Sequence, residues 1–274
     1  MPRKKIALIA AMEREVRPLI RSWKVRTIEH DGRRYRLFEN AEATLVCGGI
    51  GAEAARRATE AVIREVNPAR VISVGFAGAL NSSLQVGDVL EPRTVINAAD
   101  GVRSEVGSGE GILVSSATVA GKEQKIRLHK AYGADAVDME AAAVAQGAEA
   151  RGVEFGALKV ISDTADFSLP LLDRSPDRFV ADDGRFRSLR FACHVALRPW
   201  LWRTTMALAR NSSKASHALC GALVSYLDRE APDRQALSDE SSSAELNRTK
   251  VSPEFAGAHT HAGTQSHTQA DGKE

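Results

Sequence analysis

At 274 residues and 43% hydrophobic content, the chain is long enough for one large domain or two small ones and apolar enough to bury a core. Thirty-seven basic against 35 acidic residues leave a formal charge of +2, which excludes a global field that would recruit nucleic acid or an anionic membrane. The three cysteines, Cys47, Cys193 and Cys220, are too few and too scattered for a disulfide frame or a zinc site, and they fit thiols in a reducing compartment.

Residues 5–10 form a short apolar run that predicts a strand. Glu13, Arg14 and Glu15 interrupt it too early for a signal peptide, and nowhere do about 18 uncharged apolar residues follow one another, as a membrane-spanning helix requires. A cytoplasmic protein is therefore expected. Residues 12–22, with Met12, Val16, Leu19 and Ile20 at helical spacing, predict a helix. Residues 34–38 and 43–47 read as two arms of an antiparallel pair around Glu39, Asn40 and Glu42. Gly48-Gly49-Ile50-Gly51 then opens a helix over 52–66, rich in Ala, Glu and Arg.

Asn67 and Pro68 end that helix, and residues 70–75 form a continuous apolar strand running on through 76–80, as expected of a central strand covered on both faces. Residues 86–95 predict a further strand and 101–111 a Gly/Ser/Glu loop. Then come a strand at 112–116, a helix at 122–132, a strand at 135–137, a helix at 139–151 and a strand at 155–161. Strands alternating with helices make the fold class α/β, layered around a sheet. Past Asp166 the composition turns to loop, then to a basic and aromatic stretch over 185–209, then to a helix over 212–227. The domain is expected to span 1–230. Residues 231–274, rich in Ser, Thr, His, Gly and Gln, bury too little apolar surface to offset their ordering entropy and are expected to be a disordered tail.

Carboxylates gather at element ends. Asp163 closes a buried strand, where α/β folds place ligands; partial burial would raise its pKa and suit it to donate a proton. A turn or N-cap Asp is the alternative. Glu140 stands in the first turn of an Ala-rich helix beside Asp138, placed either for the helix dipole or to accept hydrogen bonds from a diol. Glu15 has the same ambiguity. The Gly48–Gly51 turn is either an anion-binding start or a tight strand-to-helix connection. The histidines show no ligand-pair or triad spacing, so neither a metal nor another cofactor is expected.

Six separated strings, AMEREV at 11–16, GGIG at 48–51, VGFAGAL at 74–80, VGDV at 86–89, AVDMEAAAVA at 136–145 and VISDTAD at 160–166, together resemble the purine nucleoside phosphorylase family. Their order and spacing are most similar to the branch containing methylthioadenosine/S-adenosylhomocysteine nucleosidase. The resemblance covers residues 5–166. It implies a three-layer α/β domain with a central mixed β-sheet flanked by helices, and cleavage of a purine nucleoside's N-glycosidic bond, the substrate being an adenosine derivative modified at the 5′ position.

Carried over position by position, the resemblance implies that Asp163 protonates the purine at N7, that Glu140 holds the ribose hydroxyls beside Met139, and that Glu15 activates water. Met12, Ile50, Phe76, Lys159 and Ser162 are implied to line the substrate site. Hexameric phosphorylases hold phosphate through an Arg and a Ser where this chain has Ser73-Val74-Gly75-Phe76, so hydrolysis is favoured and phosphorolysis stays the alternative, with Lys159 keeping charge but not an Arg fork. A non-catalytic nucleoside-binding module is the reading of another class. Residues 115–119 lack the aromatic that stacks on adenine in the nucleosidases. The stretch from 169 to 218 resembles the hopanoid-associated phosphorylases, and its arginines interleaved with Phe186, Phe191, Trp200 and Trp202 are expected either to pack or to touch a membrane peripherally through 185–210. The resemblance also implies a homodimer.

Overall fold

The computed structural model describes residues 5–107, 109–167 and 202–230; the expectations for 168–201, which hold most of the basic and aromatic stretch, and for the tail 231–274 lie outside the described residues. Strand β1 (Ile6–Ala10) leads into helix α1 (Glu13–Ile20). Strands β2 (Lys24–His30), β3 (Arg33–Glu39) and β4 (Ala43–Cys47) follow as an antiparallel meander, and α2 (Ala52–Val66) precedes β5 (Arg70–Ala79). Then come β6 (Val89–Leu90), β7 (Thr94–Asn97), β8 (Arg103–Glu105), β9 (Ile112–Ser115), α3 (Lys122–Tyr132), β10 (Ala136–Asp138), α4 (Ala141–Glu149), β11 (Glu154–Asp163) and α5 (Trp202–Glu230).

The ten-residue apolar β5 organises the sheet. It pairs in parallel with β1 on one side and with β11 along its length on the other, while its last residues pair antiparallel with β10. The path β2-β3-β4-β1-β5-β10-β9-β7-β8, with β11 and β6 branching from β5, makes the sheet mixed. One face packs on α2 and α4 through Ala58, Val62, Val71, Ala141, Val144 and Ile161. The other packs on α1 and α5 through Val16, Ile72, Val74, Leu158, Leu219 and Leu223. The α/β class expected from the alternation of strands and helices, and the three-layer arrangement that the resemblance implies, are what the chain adopts, because a central strand apolar on both faces needs a helical layer on each.

Four local expectations need correction. The segment 24–30 was assigned to no element, yet it forms β2, an edge strand whose alternation is masked by Lys24, Arg26, Glu29 and His30. The single strand expected over 86–95 is two, β6 and β7, broken at Pro92, which cannot donate to a ladder. The Gly-rich loop 101–111 contains β8, paired antiparallel with β7. The last helix begins at Trp202 rather than 212, and continues to Glu230. Among the described residues no helix is long and apolar enough to cross a membrane, and Cys47 and Cys220 are free thiols.

Candidate active site

Asp163 is set by a fault in the ladder. Ile161 pairs with Ala77, but the register then shifts so that Asp163 stands opposite Gly78, and such a bulge re-aims the side chains at a strand end. The sequence pointed to a partly buried carboxyl at a strand end, and the structure adds a cation beside it: the Lys125 ammonium, from α3, donates to Asp163 Oδ2 and also to the Thr164 carbonyl at 2.7 Å. The Ser162 hydroxyl donates to Oδ1 at 2.6 Å. Gly78 makes room, because a Cβ there would stand 2.9 Å from Asp163 Oδ2 and 3.3 Å from Lys125 Cε.

Glu140 does not cap its own helix. That task falls to Asp138, whose Oδ2 accepts from the Ala141 amide at 2.9 Å, and to Ser115, whose Oγ accepts from the Ala142 amide at 2.9 Å. Glu140 instead reaches across the fold, where its Oε1 accepts from the Gly51 amide at 2.8 Å, at the start of α2. The Gly48–Gly51 string is thus the tight strand-to-helix connection: Gly49 and Gly51 have φ of 108° and 94°, and a Cβ at Gly48 would lie 2.7 Å from that of Ala58. Its Gly51 amide serves a protein carboxylate. Glu15, third in α1, reaches back to the Met12 amide at 3.4 Å, one half of a capping box. Gly75, at φ +145°, leaves its carboxylate space, since a Cβ there would stand 3.1 Å from Glu15 Oε2.

The two glutamates feel each other. Burial pushes Glu15 up from 4.5 to about 7, the charge of Glu140 adds to the rise, and Lys159 opposes it. Glu140 keeps some exposure, but protein surrounds its carboxylate; loss of hydration first, then the charge of Asp138, push it also to about 7. Lys159 is the nearby cation, and it is 1% exposed. Its ammonium is held by Asp138 Oδ2 at 2.9 Å and donates to Ser73 Oγ at 3.0 Å. Asp138 in turn accepts from Ser115 Oγ at 2.5 Å. Glu15 borders Gly75 and Asp163 borders Gly78, two glycines three residues apart on β5 and so separated by about 10 Å along the strand.

Met12 and Ile50 stand beside Glu15 and Gly51, and Met139 is half-buried just before Glu140, with its amide 3.3 Å from Glu140 Oε2. Phe76 packs into the apolar layer under α1 and α5 and borders a cavity of about 280 Å³ that Arg14, Arg17 and His217 also line. Two residues were missed in the sequence. Lys125 lies three positions before Leu128, on the buried stripe of α3, and a lysine on such a stripe was the available signal. Ser115 was read only as lacking an aromatic, whereas it braces Asp138. Away from these residues, His30, Asp31 and Glu60 bring ligand-type atoms within 4.8 Å of one another, though Glu60 already pairs with Arg56 at 2.6 Å.

A stability consequence follows from the raised carboxyls. Between pH 4.5 and about 7 folded Glu15 retains a proton that the unfolded chain releases, so its contribution to stability falls as pH rises through that window and stays low above it. Glu15→Gln should melt close to the wild type at pH 5 and clearly higher at pH 8, the gap corresponding to on the order of 3 kcal/mol. Thermal melts at the two pH values test this; an equal difference at both would contradict it.

Comparison with known proteins adds the following. Residues 5–117 and 106–187 match the phosphorylase superfamily. The chain is 33% identical over 92 residues to a 5′-methylthioadenosine/S-adenosylhomocysteine nucleosidase of Buchnera aphidicola subsp. Schizaphis graminum, the match spanning 32% of this chain and only 39% of that relative. It is 27% identical over 198 residues to the nucleosidase of the same name from Staphylococcus aureus, covering 59% of this chain and 87% of the relative. Among solved structures, the futalosine hydrolase of Helicobacter pylori superimposes with a TM-score of 0.62 at 21% identity, over 82% of this chain and 98% of the other.

Proposed function

The chain belongs to the phosphorylase superfamily, and from that premise we propose that it is a nucleosidase, hydrolysing the N-glycosidic bond of a purine nucleoside derived from adenosine and modified at the 5′ position. The observation that carries the reading is the pair Glu15 and Glu140, each steadied by a backbone amide and each raised to about 7. A base poised near neutral pH is the one that best removes a proton from water.

In this reading Asp163 gives its proton to N7 as the bond to the sugar breaks, so that the base leaves neutral. Glu140 accepts hydrogen bonds from the ribose hydroxyls, and its negative charge stabilises the positive charge developing on the sugar. Glu15 takes a proton from the attacking water. The division of labour parallels that of two-carboxylate glycosidases, with a purine as the leaving group.

Water is favoured over phosphate because of what surrounds Lys159. A lysine that is to grip phosphate must present its ammonium to the cleft, whereas this one is held by Asp138 and Ser73 inside the sheet. Bringing a phosphate dianion beside Glu15 and Glu140 would add like-charge repulsion, and Lys159, already paired with Asp138, is not free to offset it. The names of the relatives and of the structural neighbour support hydrolysis too, but they belong to nucleosidases of methylthioadenosine or S-adenosylhomocysteine and to a hydrolase of futalosine, so they do not select the 5′ group.

The test is product identity. With 5′-methylthioadenosine the expected result is adenine and free 5-methylthioribose, at the same rate with and without phosphate. Sugar 1-phosphate formed only when phosphate is present would replace hydrolysis by phosphorolysis. The proposal keeps the homodimer and the cytoplasm that the sequence suggests. Exposed Val89, Val102 and Ile126 are side chains a subunit contact would cover, and sedimentation at assay concentration decides the oligomeric state.

A further inference from the structure

Lys125 is 2% exposed, and a lysine is almost never buried so deeply without a partner. Its partner is Asp163. Neither the wall of α3 nor the end of β11 needs a charge for packing: Leu128, three residues on, fills the same layer with Val114 and Val137. The stem of Lys125 instead passes over Gly78, where a Cβ would stand 3.3 Å from its Cε. Its ammonium then fastens both Asp163 and the carbonyl of the following residue, Thr164. The carboxylate is thus held from two sides, by Lys125 on Oδ2 and by Ser162 on Oδ1, while the Asp163 side chain keeps 20% of its surface open against 3% for Lys125. The cation stands behind the acid, away from solvent.

We propose that Lys125 is the positioning residue of the acid: it fixes the Asp163 carboxyl toward the departing base and stabilises the carboxylate that proton donation leaves behind. This rests on the nucleosidase reading given above. The step is balanced. The C–N bond breaks with its electron pair on the purine, the proton passes from Asp163 to N7, and Asp163 becomes the anion that Lys125 faces. Solvent returns the proton through the open side of Asp163 after the base departs. A charge-assisted hydrogen bond to the anionic form lowers the cost of reaching it. The ion pair in the structure is the form Asp163 holds between turnovers, before it takes up the proton it will donate.

A substrate that needs no acid separates this role from a merely structural one. The full-length protein is assayed on 5′-methylthioadenosine and on 4-nitrophenyl β-D-ribofuranoside, whose phenolate departs without a proton. Lys125→Met should lower kcat on the purine nucleoside by about 100-fold with KM within about threefold, and lower cleavage of the nitrophenyl riboside by less than about threefold. Lys125→Arg, which keeps the charge, should recover at least about a tenth of wild-type kcat on the purine nucleoside. Unchanged kcat in Lys125→Met, equal losses on both substrates, or an arginine variant no better than the methionine one would each overturn the proposal. A wild-type protein that releases base from no purine nucleoside would instead refute the nucleosidase reading, so the two failures are told apart.

Discussion

Asp163→Asn is expected to lower kcat on purine nucleosides by about 10²–10⁴-fold, the usual worth of a general acid, while KM changes by no more than about threefold. The substitution is nearly isosteric, but the Asn carbonyl oxygen can replace only one of the two carboxylate oxygens that accept from Ser162 and Lys125. What it lacks is the proton for N7, so the purine must leave as an anion. The variant also leaves the Lys125 ammonium buried without its carboxylate, and breaking a buried pair from one side is costly, on the order of 3–5 kcal/mol. A lower melting temperature should therefore accompany the lost turnover, and assays must be run well below it. Single-turnover release of adenine, at a temperature where both proteins remain folded, is the deciding measurement. Base release at the wild-type rate would remove Asp163 from the chemistry and return it to the turn-residue reading.

That both readings of Asp163 survived the sequence shows where residue patterns stop being informative. The apolar run before it marks a buried strand end, and β11 ends there. The register shift after Ile161 cannot be read, because a bulge follows from two strands pairing across many residues rather than from local composition. Lys125 was hidden for the same reason, since its partner lies 38 residues away. Glu140 was harder still. Its neighbours Asp138 and Ala141 invite a helix-capping role, and only the approach of Gly51, 89 residues earlier, reveals that Asp138 does the capping and frees Glu140. Central strands fared best: β1 and β5 are apolar enough to be marked by burial alone. The edge strand β2 and the short β8 failed because an exposed strand carries the charges of a loop.

Glu15 carries the second large effect. Glu15→Gln should reduce hydrolysis by about 10²–10⁴-fold, because glutamine preserves the contact with the Met12 amide but cannot take a proton from water. The pH dependence gives the finer test. With Glu15 at about 7, kcat/KM in the wild type should climb as the pH rises from 5.5 to about 7.5, since the ionised form is the base, and the climb should be lost in the glutamine variant. Glu140 titrates in the same range and is electrostatically linked to Glu15, so the wild-type rise belongs to the pair; the difference between the two profiles isolates the part that needs Glu15. Phosphate adds a last discrimination. If phosphate were the natural nucleophile it would need no base, and Glu15→Gln would keep most of its activity in phosphate buffer. Under hydrolysis phosphate restores nothing, because Lys159 remains held by Asp138 and Ser73. The same substitution is expected to raise the melting temperature at pH 8, so Glu15 would be a residue that costs the fold stability in the range where the reaction needs its charge.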